Sequence, residues 1–313
     1  MTTFVDPDHF AEALIAENGW PGLRVTPVRG PFSAELTTFE FPGVWVVRGQ
    51  MTAAINQSKS SPHQTSIVFT DDGSPPLIRD GVAIAADDIV VWPSDVPCCT
   101  RVEAAHGWGC ILFPTDEFSR ATGFELGNRI VRVRPPPAAL TRLRRLHRSL
   151  LNISLSAEHL ASPQIARHFR GSLMAEIVSC LRVVDELPMS INGSRRTRVI
   201  RRFKELLDEN EHWPLPLVDI YAALGVEART MRQYCEDCFG MGPRDYMMLH
   251  RLNHVRRDLV QGDPDGTTVA QVALRYGFIQ LGRFAGRYRK VFDESPSVTL
   301  RTTKWPVLHR RSP

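Results

Sequence analysis

The chain has 313 residues, 43% apolar and 23% charged, with a formal net charge of +4 at pH 7; this is the composition of a folded soluble protein and excludes gross disorder and collagen-like repeats. At this length two domains are the default. Charge is divided unevenly: residues 195–313 carry 21 Lys plus Arg against 14 Asp plus Glu, a net of +7, and residues 1–194 carry 17 against 20, a net of −3, which together give +4. A basic C-terminal block points to a polyanion partner, because cations that neutralise phosphates release condensed counterions.

Met1–Glu17 lacks the basic start and apolar run of a secretory leader, and no stretch approaches 18 apolar residues, so a cytoplasmic protein with no membrane partner is expected. From Glu35 to Phe113 the pattern is one of short β-rich runs: Val44–Arg48, Thr65–Phe69, Ile89–Trp92, Thr100–Glu103 and Cys110–Phe113. Between them stand Asp71-Asp72-Gly73-Ser74-Pro75-Pro76, Asp80-Gly81 and Pro93-Ser94-Asp95, residues that favour turns through local side-chain bonds, positive φ or fixed φ. Strands this short, broken this often, predict a barrel or sandwich. After Pro135-Pro136-Pro137 the period changes to 3.6. Leu140, Leu143, His147, Leu150 and Leu151 share one face of a first helix, and Ile165, Phe169, Leu173, Ile177 and Leu181 point inward from a second, Pro163 to Val184. One of these rows is expected to form a two-helix dimer seam, with packing against the barrel as the alternative. Leu187–Ser194 mixes Pro, Gly and Ser without periodicity and reads as a linker.

Everything beyond the linker reads as helix. Leu217, Ile220, Tyr221 and Leu224 make a short amphipathic helix that begins at Pro216 and stops at Gly225. In the helix that follows, Met231, Tyr234, Cys235, Cys238 and Phe239 face the core and leave Arg229, Thr230, Arg232, Gln233 and Glu236 outward. That outward set suits base reading: Arg can bridge guanine O6 and N7, Gln can pair with adenine, and the first turns of such a helix enter the major groove. A longer helix, Pro243 to Gln261, should connect this unit rigidly to a second one. The second begins at Thr267, packs Val269, Val272, Ala273 and Tyr276, and turns at Gly277. Its reading helix, Leu281 to Phe292, buries Phe284, Tyr288, Val291 and Phe292 and leaves Arg283, Arg287 and Arg289 outside.

The stretch Val269-Ala-Gln-Val-Ala-Leu-Arg-Tyr-Gly-Phe278, then Arg283-Phe-Ala-Gly-Arg-Tyr-Arg-Lys-Val-Phe292 and Ser295-Pro296, resembles the AraC-type DNA-binding signature. Upstream, Leu224-Gly-Val-Glu-Ala-Arg-Thr-Met231 and Phe239-Gly-Met-Gly-Pro-Arg-Asp-Tyr246 resemble its first unit in order and spacing. The resemblance implies double-stranded DNA as partner, with base-reading positions at Arg229, Arg232 and Gln233, flanked by Thr230, and at Gln280, Gly282, Arg283 and Arg287. It also implies an activator that contacts RNA polymerase, and a homodimer. Three departures stand out. Glu227-Ala228 replaces a small hydroxylated cap, and the second reading helix opens on Ile279-Gln280-Leu281-Gly282, with few polar groups. Asp293-Glu294 replaces a final glycine, at little cost if Asp293 takes the left-handed conformation. The second unit is therefore expected to hold phosphates more than it reads bases.

The β-rich half followed by two helices resembles, more loosely, the cupin-like effector and dimerisation domain of the same family. The implied fold is an α+β chain of two domains. An effector-sensing domain spans residues 1–186, with β structure over about 35–113 and helices over about 138–185. A linker over 187–196, an all-α domain with two helix-turn-helix units over 197–303 and a flexible basic tail over 304–313 follow. A small barrel can enclose one ligand, and Arg48, His63, Trp92 and Trp108 are the candidate contacts for an unidentified small-molecule effector. No cofactor or metal is called for, since His63 and His106 lack the paired His-x-His and following Glu of a cupin site. Cys235 and Cys238 form a C-x-x-C whose phase places both in the core. Cys98-Cys99, in a loop after Pro97, is an ordinary pair with an oxidisable sensor as alternative. All six cysteines are expected to be reduced.

Three functions follow in order: a ligand-controlled transcription regulator, a constitutive DNA-binding protein whose barrel serves assembly, and a cupin-type enzyme fused to a DNA-binding module. The third lacks metal ligands and any G-x-S-x-G or H-E-x-x-H pattern, so no enzyme is expected.

Overall fold

A computed structural model describes residues 1–152, 162–182, 189–190, 194–212 and 215–301. Contacts divide the chain into two compact units, one built mainly from residues 1–198 and the other mainly from residues beyond 198. Among the described residues no helix is long and apolar enough to cross a membrane.

The first unit opens with β1 (Thr2–Phe4), α1 (Pro7–Asn18) and β2 (Arg24–Pro27), none of which the sequence patterns announced. α1 has a clear local cause: Asp6 caps it by accepting from the amides of Asp8 and His9, and Pro7 sits at its first position. There follow β3 (Ala34–Phe41), β4 (Val44–Met51), β5 (Ala54–Lys59), β6 (Gln64–Thr70), β7 (Leu77–Arg79), β8 (Val82–Ile84), β9 (Ile89–Trp92), β10 (Pro97–Val102), β11 (His106–Pro114), α2 (Thr115–Thr122), β12 (Val131–Val133), α3 (Pro137–Leu151), α4 (Pro163–Leu181) and β13 (Met189–Ser190). The expected barrel takes the form of two antiparallel sheets, an eight-stranded one in the order β1-β3-β4-β11-β6-β9-β12-β13 and a five-stranded one in the order β2-β5-β10-β7-β8.

The larger sheet is covered on both faces. Val47, Met51, Val68, Trp92, Trp108, Cys110 and Leu112 meet residues of the smaller sheet (Val25, Ala54, Leu77, Cys98, Val102) and the apolar side of α1 (Phe10, Leu14) in one core. The alternate residues, among them Val46, Ile67, Phe69, Val91, Ile111 and Phe113, pack against Leu140, Leu143 and Leu150 of α3 and Leu173 and Ile177 of α4. Burial on both faces turns the period-2 pattern into a continuous apolar run, and in β11 only Pro114 is not buried. The inward rows of α3 and α4 pack on the sheet of their own chain, the alternative to the expected dimer seam, with Leu151, Ile165 and Phe169 only partly buried.

The acidic turn Asp71–Asp72 has a specific use. Asp72 accepts from Arg144 at 2.8 Å and Arg148 at 2.7 Å on α3, and Arg48 pairs with Asp71 at 2.7 Å. The hydrogen bond from Arg148 holds the Asp72 carboxyl below its ordinary pKa. Two residues of the segment read as linker, Met189–Ser190, instead pair with β12, Ser190 opposite Val131. The rest of that segment up to residue 193, and the basic tail over 304–313, lie outside the described residues.

The second unit is helical: α5 (Arg195–Glu209), α6 (Leu217–Leu224), α7 (Ala228–Phe239), α8 (Pro243–Gln261), α9 (Val269–Arg275), α10 (Leu281–Phe292) and the short α11 (Pro296–Arg301). Around α8, Leu252, Val255 and Leu259 meet Val272, Ala273 and Tyr276 of α9, Phe284, Tyr288 and Phe292 of α10, and Leu300 of α11. Tyr276 and Tyr288 are buried well into that core, and desolvation raises both phenols above their ordinary pKa.

Candidate functional site

Helices α6 and α7 and helices α9 and α10 form two helix-turn-helix units with the same turn. After α6, Gly225 adopts φ 60°; its N–H donates to Ala222 O, and the N–H of Val226 donates to Tyr221 O, both at 3.2 Å. After α9, Gly277 adopts φ 76°, its N–H donates to Leu274 O and that of Phe278 to Ala273 O, both at 2.9 Å. This paired closure ends a helix on a left-handed residue, so the relatedness of the two units extends to their backbone hydrogen bonds.

In α7, Met231, Cys235, Cys238 and Phe239 are buried and Tyr234 is partly so, which puts the C-x-x-C in the core. Arg229, Arg232 and Gln233 lie on the exposed side, with Thr230 half-buried beside them. In α10, Phe284, Tyr288 and Phe292 are buried while Arg283, Arg287 and Arg289 are exposed. α10 starts without a side-chain cap at Gln280, and Gly282 in its first turn is exposed. Ile279 and Leu281 there are 82% and 39% exposed. Asp293 takes φ 59° and ψ 15° at the end of α10, so an aspartate fills the left-handed position where the family signature has glycine.

The start of α9 depends on one side chain. Thr268 Oγ1 accepts from the amide of Gln271, and the Gln271 side chain reaches back to the amide of Thr268 at 3.0 Å, a complete capping box. Thr268→Ala should cost about 1 kcal/mol, read as faster hydrogen exchange of the α9 amides; unchanged exchange would mean that packing alone holds this helix.

The first unit encloses a pocket between its two sheets, lined by Trp20, Asn56, Arg79, Trp92, Cys98, Thr100, His106 and Trp108 together with aliphatic side chains. Its volume is about 60 Å³, room for about two waters at roughly 30 Å³ each. Trp20 lies between the other two indoles, its ring centroid 6.0 Å from that of Trp92 and 5.7 Å from that of Trp108. Arg79 is 5% exposed, holds its guanidinium carbon 5.2 Å from the Trp92 ring centre, and donates from Nε to Thr100 Oγ1 at 3.2 Å. It has no carboxylate partner among the described residues, and its Nη1 has no hydrogen-bond partner. Trp20 Nε1, Trp108 Nε1, Asn56 Oδ1 and His106 Nε2 are also buried without partners. Nδ1 of His106 lies 3.0 Å from Pro75 O, an atom that only accepts, so Nδ1 carries the proton. Burial pushes the His106 imidazole below its ordinary pKa, with Arg79 acting in the same direction. The neutral ring therefore presents Nε2 as an acceptor.

Of the predicted pocket residues, Trp92 and Trp108 line this cavity and Arg48 and His63 do not. Arg48 lies one residue after Val47 in β4, and successive side chains leave a strand on opposite faces; it faces α3 and pairs with Asp71. His63 sits exposed in the turn before β6 with φ 60°. Cys98 and Cys99 are corrected as well: they lie in β10 and are buried, which removes the access an oxidisable sensor needs. Trp20, Asn56 and Arg79 went unread and His106 was weighed only as a metal ligand, since only the tertiary packing brings the four together.

Two turns closed by the same hydrogen bonds, each followed by a helix with exposed arginines, define the second unit as a double helix-turn-helix domain of the kind that binds DNA. Residues 220–302 match the family of helix-turn-helix domains. The chain is similar to the probable thc operon regulatory protein of Rhodococcus erythropolis, 32% identical over 104 residues, which are 33% of this chain and 31% of that protein. It is also similar to the XylDLEGF operon transcriptional activator of Pseudomonas putida, 29% identical over 154 residues, 48% of this chain and 46% of that protein. The chain thus spans less than half of the length of these two relatives. A solved structure of a probable AraC family transcriptional regulator from Rhodopseudomonas palustris is 30% identical and covers 34% of this chain and 99% of that chain, with a TM-score of 0.32. The match over residues 220–302 gives the chain a C-terminal helix-turn-helix domain, and the two proteins it is similar to are named as operon regulators. The proteins it matches are regulators, not enzymes.

Proposed function

We propose that the chain is a transcription activator that reads a specific DNA sequence with α7 and α10 and is controlled by a small anion held between the two sheets of its first unit. The observation that carries the control is Arg79: a buried guanidinium with no carboxylate partner among the described residues. A buried charge left without a counter-charge is costly, and an anionic ligand would supply one. Two indole N–H donors beside it suit the same anion, while His106 Nε2 and Asn56 Oδ1 suit a hydroxyl or amine on the ligand. The ligand class is therefore a small carboxylate carrying a donor group, on a body flat enough to lie among indole rings. A body larger than the present cavity enters with displacement of those rings.

A panel of hydroxylated carboxylates tested by thermal unfolding checks this. A true effector at 100 times its Kd adds about 2.7 kcal/mol of stability, and Arg79→Met should abolish the gain. No stabilisation by any carboxylate, or an equal gain in the variant, would favour the constitutive reading, in which the sheets serve only assembly.

For the DNA-reading part, sites are selected from a random pool at a stated salt near 0.15 M, and the selected sequence is titrated. Arg232→Ala should lose roughly 1 to 3 kcal/mol of binding and relax preference at one base position. A uniform loss across sequences would assign Arg232 to the phosphate backbone. At the start of α10 the exposed Leu281, with Ile279 just ahead of the helix, supplies apolar contacts to thymine methyls, while Arg283 and Arg287 hold phosphates. Activation is supported by the name of the Pseudomonas putida relative, an operon transcriptional activator, and contact with RNA polymerase is part of the same proposal. Pairing into a homodimer rests on the symmetry of bound half-sites, and sedimentation at micromolar concentration measures it.

A further inference from the structure

We propose that the helical unit binds one divalent transition-metal ion of the zinc class, held by Asp208 on α5 and by His250 and His254 on α8. One ligand atom from each of these three residues lies within 4.8 Å of the other two. Nε2 of His250 is 3.0 Å from Asp208 Oδ1, close to the roughly 3.3 Å edge of a tetrahedron whose bonds are about 2.0 to 2.2 Å. His250 and His254 are four residues apart, which places them one above the other on a single helix face. Their ring centres are 4.6 Å apart. Glu211, in the turn after α5, pairs with His254 at 3.3 Å but stands outside this three-residue group.

The simpler account is two separate histidine–carboxylate pairs. It accounts for each pair singly but not for the convergence of one donor atom from each of the three residues within 4.8 Å of one another. A dication would join the three, both rings binding it through nitrogen while the Asp208 carboxylate offsets part of its charge. Imidazole nitrogen also selects the class of ion: it suits zinc, nickel, copper and iron, whereas magnesium and calcium take oxygen donors. The side chains of His250 and His254 are 12% and 9% exposed, so the ion would be largely shielded yet reachable. Bound there, it would tie α5 to the helix that joins the two reading units. This site is independent of the sheet pocket and of the base-reading residues.

The test uses the full-length protein, stripped with a chelator and titrated with zinc and with cobalt(II). One ion per chain should raise the thermal midpoint. Cobalt should give the visible bands of a nitrogen and oxygen site, with no thiolate charge-transfer band. Asp208→Asn and His250→Gln should each weaken zinc at least tenfold, while their midpoints in chelator and their DNA binding stay at wild-type values. Two variants guard against a folding defect in either one. A thiolate band would place the metal on cysteine, and unchanged zinc affinity in both variants, or no zinc binding at all, would overturn the proposal.

Discussion

Replacing Gly49 with alanine is expected to cost about 3 kcal/mol of stability and to abolish ligand binding between the sheets. Gly49 in β4 stands directly opposite Trp108 in β11, and the indole lies across the space a side chain would fill. A Cβ on Gly49 would fall 2.3 Å from Cζ2 and 2.4 Å from Cε2 of that ring. A flexible side chain could swing aside, but an indole seated against Trp20 has nowhere to go without displacing its neighbour. Interiors packed to crystal density transmit such a displacement, so the pocket lined by both rings changes shape. Denaturant unfolding of wild type, Gly49→Ala, Trp108→Leu and the double variant checks the cause. If the clash is responsible, alanine costs far less in the Trp108→Leu background, a coupling between neighbours; equal costs in both backgrounds would assign the loss to the strand backbone instead.

The second large effect is a loss of stability in acid centred on His147. This side chain of α3 is buried against the outer face of the large sheet, its ring centre 5.0 Å from that of Phe69. Nε2 lies 2.9 Å from Val47 O; the carbonyl accepts, so Nε2 carries the proton of a neutral ring. Burial lowers the pKa from 6.5 to about 4. Between those values the unfolded chain binds a proton that the folded chain does not, so stability rises with pH across that window and is lost as pH falls through it. The shift corresponds to about 3 kcal/mol between pH 7 and pH 4. His147→Gln, whose amide can donate to the same carbonyl, should flatten that part of the profile. His106 is lowered in the same direction and keeps a residual slope, so the difference between variant and wild type is the quantity that isolates His147. Identical profiles would show that His147 does not control acid unfolding.

Local patterns located much of the molecule. Ile89–Trp92 and Pro243–Gln261 are read from the chain with the bounds the structure has, because a strand between turn residues and a helix between Pro and Gly carry their own stop signals. The buried faces of α7 and α10 are equally legible, since a period of 3.6 sorts inward from outward residues without knowledge of the partner. Elements held by pairing were not: β7 and β8 have three residues each and exist because their neighbours in the sheet supply hydrogen bonds. The Cys98–Cys99 segment looks like a loop after proline and is a buried strand for the same reason.

The sequence by itself determined the two turn-linked reading units, their outward arginines and the division into a β-rich and a helical part, all of which rest on interactions among residues a few positions apart. The tertiary structure alone decided which side chains share the sheet pocket, that α3 and α4 cover the sheet of their own chain, and that Asp208 meets His250 and His254 across 42 residues or more. Those groupings depend on strand register and on how helices pack, where a shift of one residue sends every side chain to the opposite face.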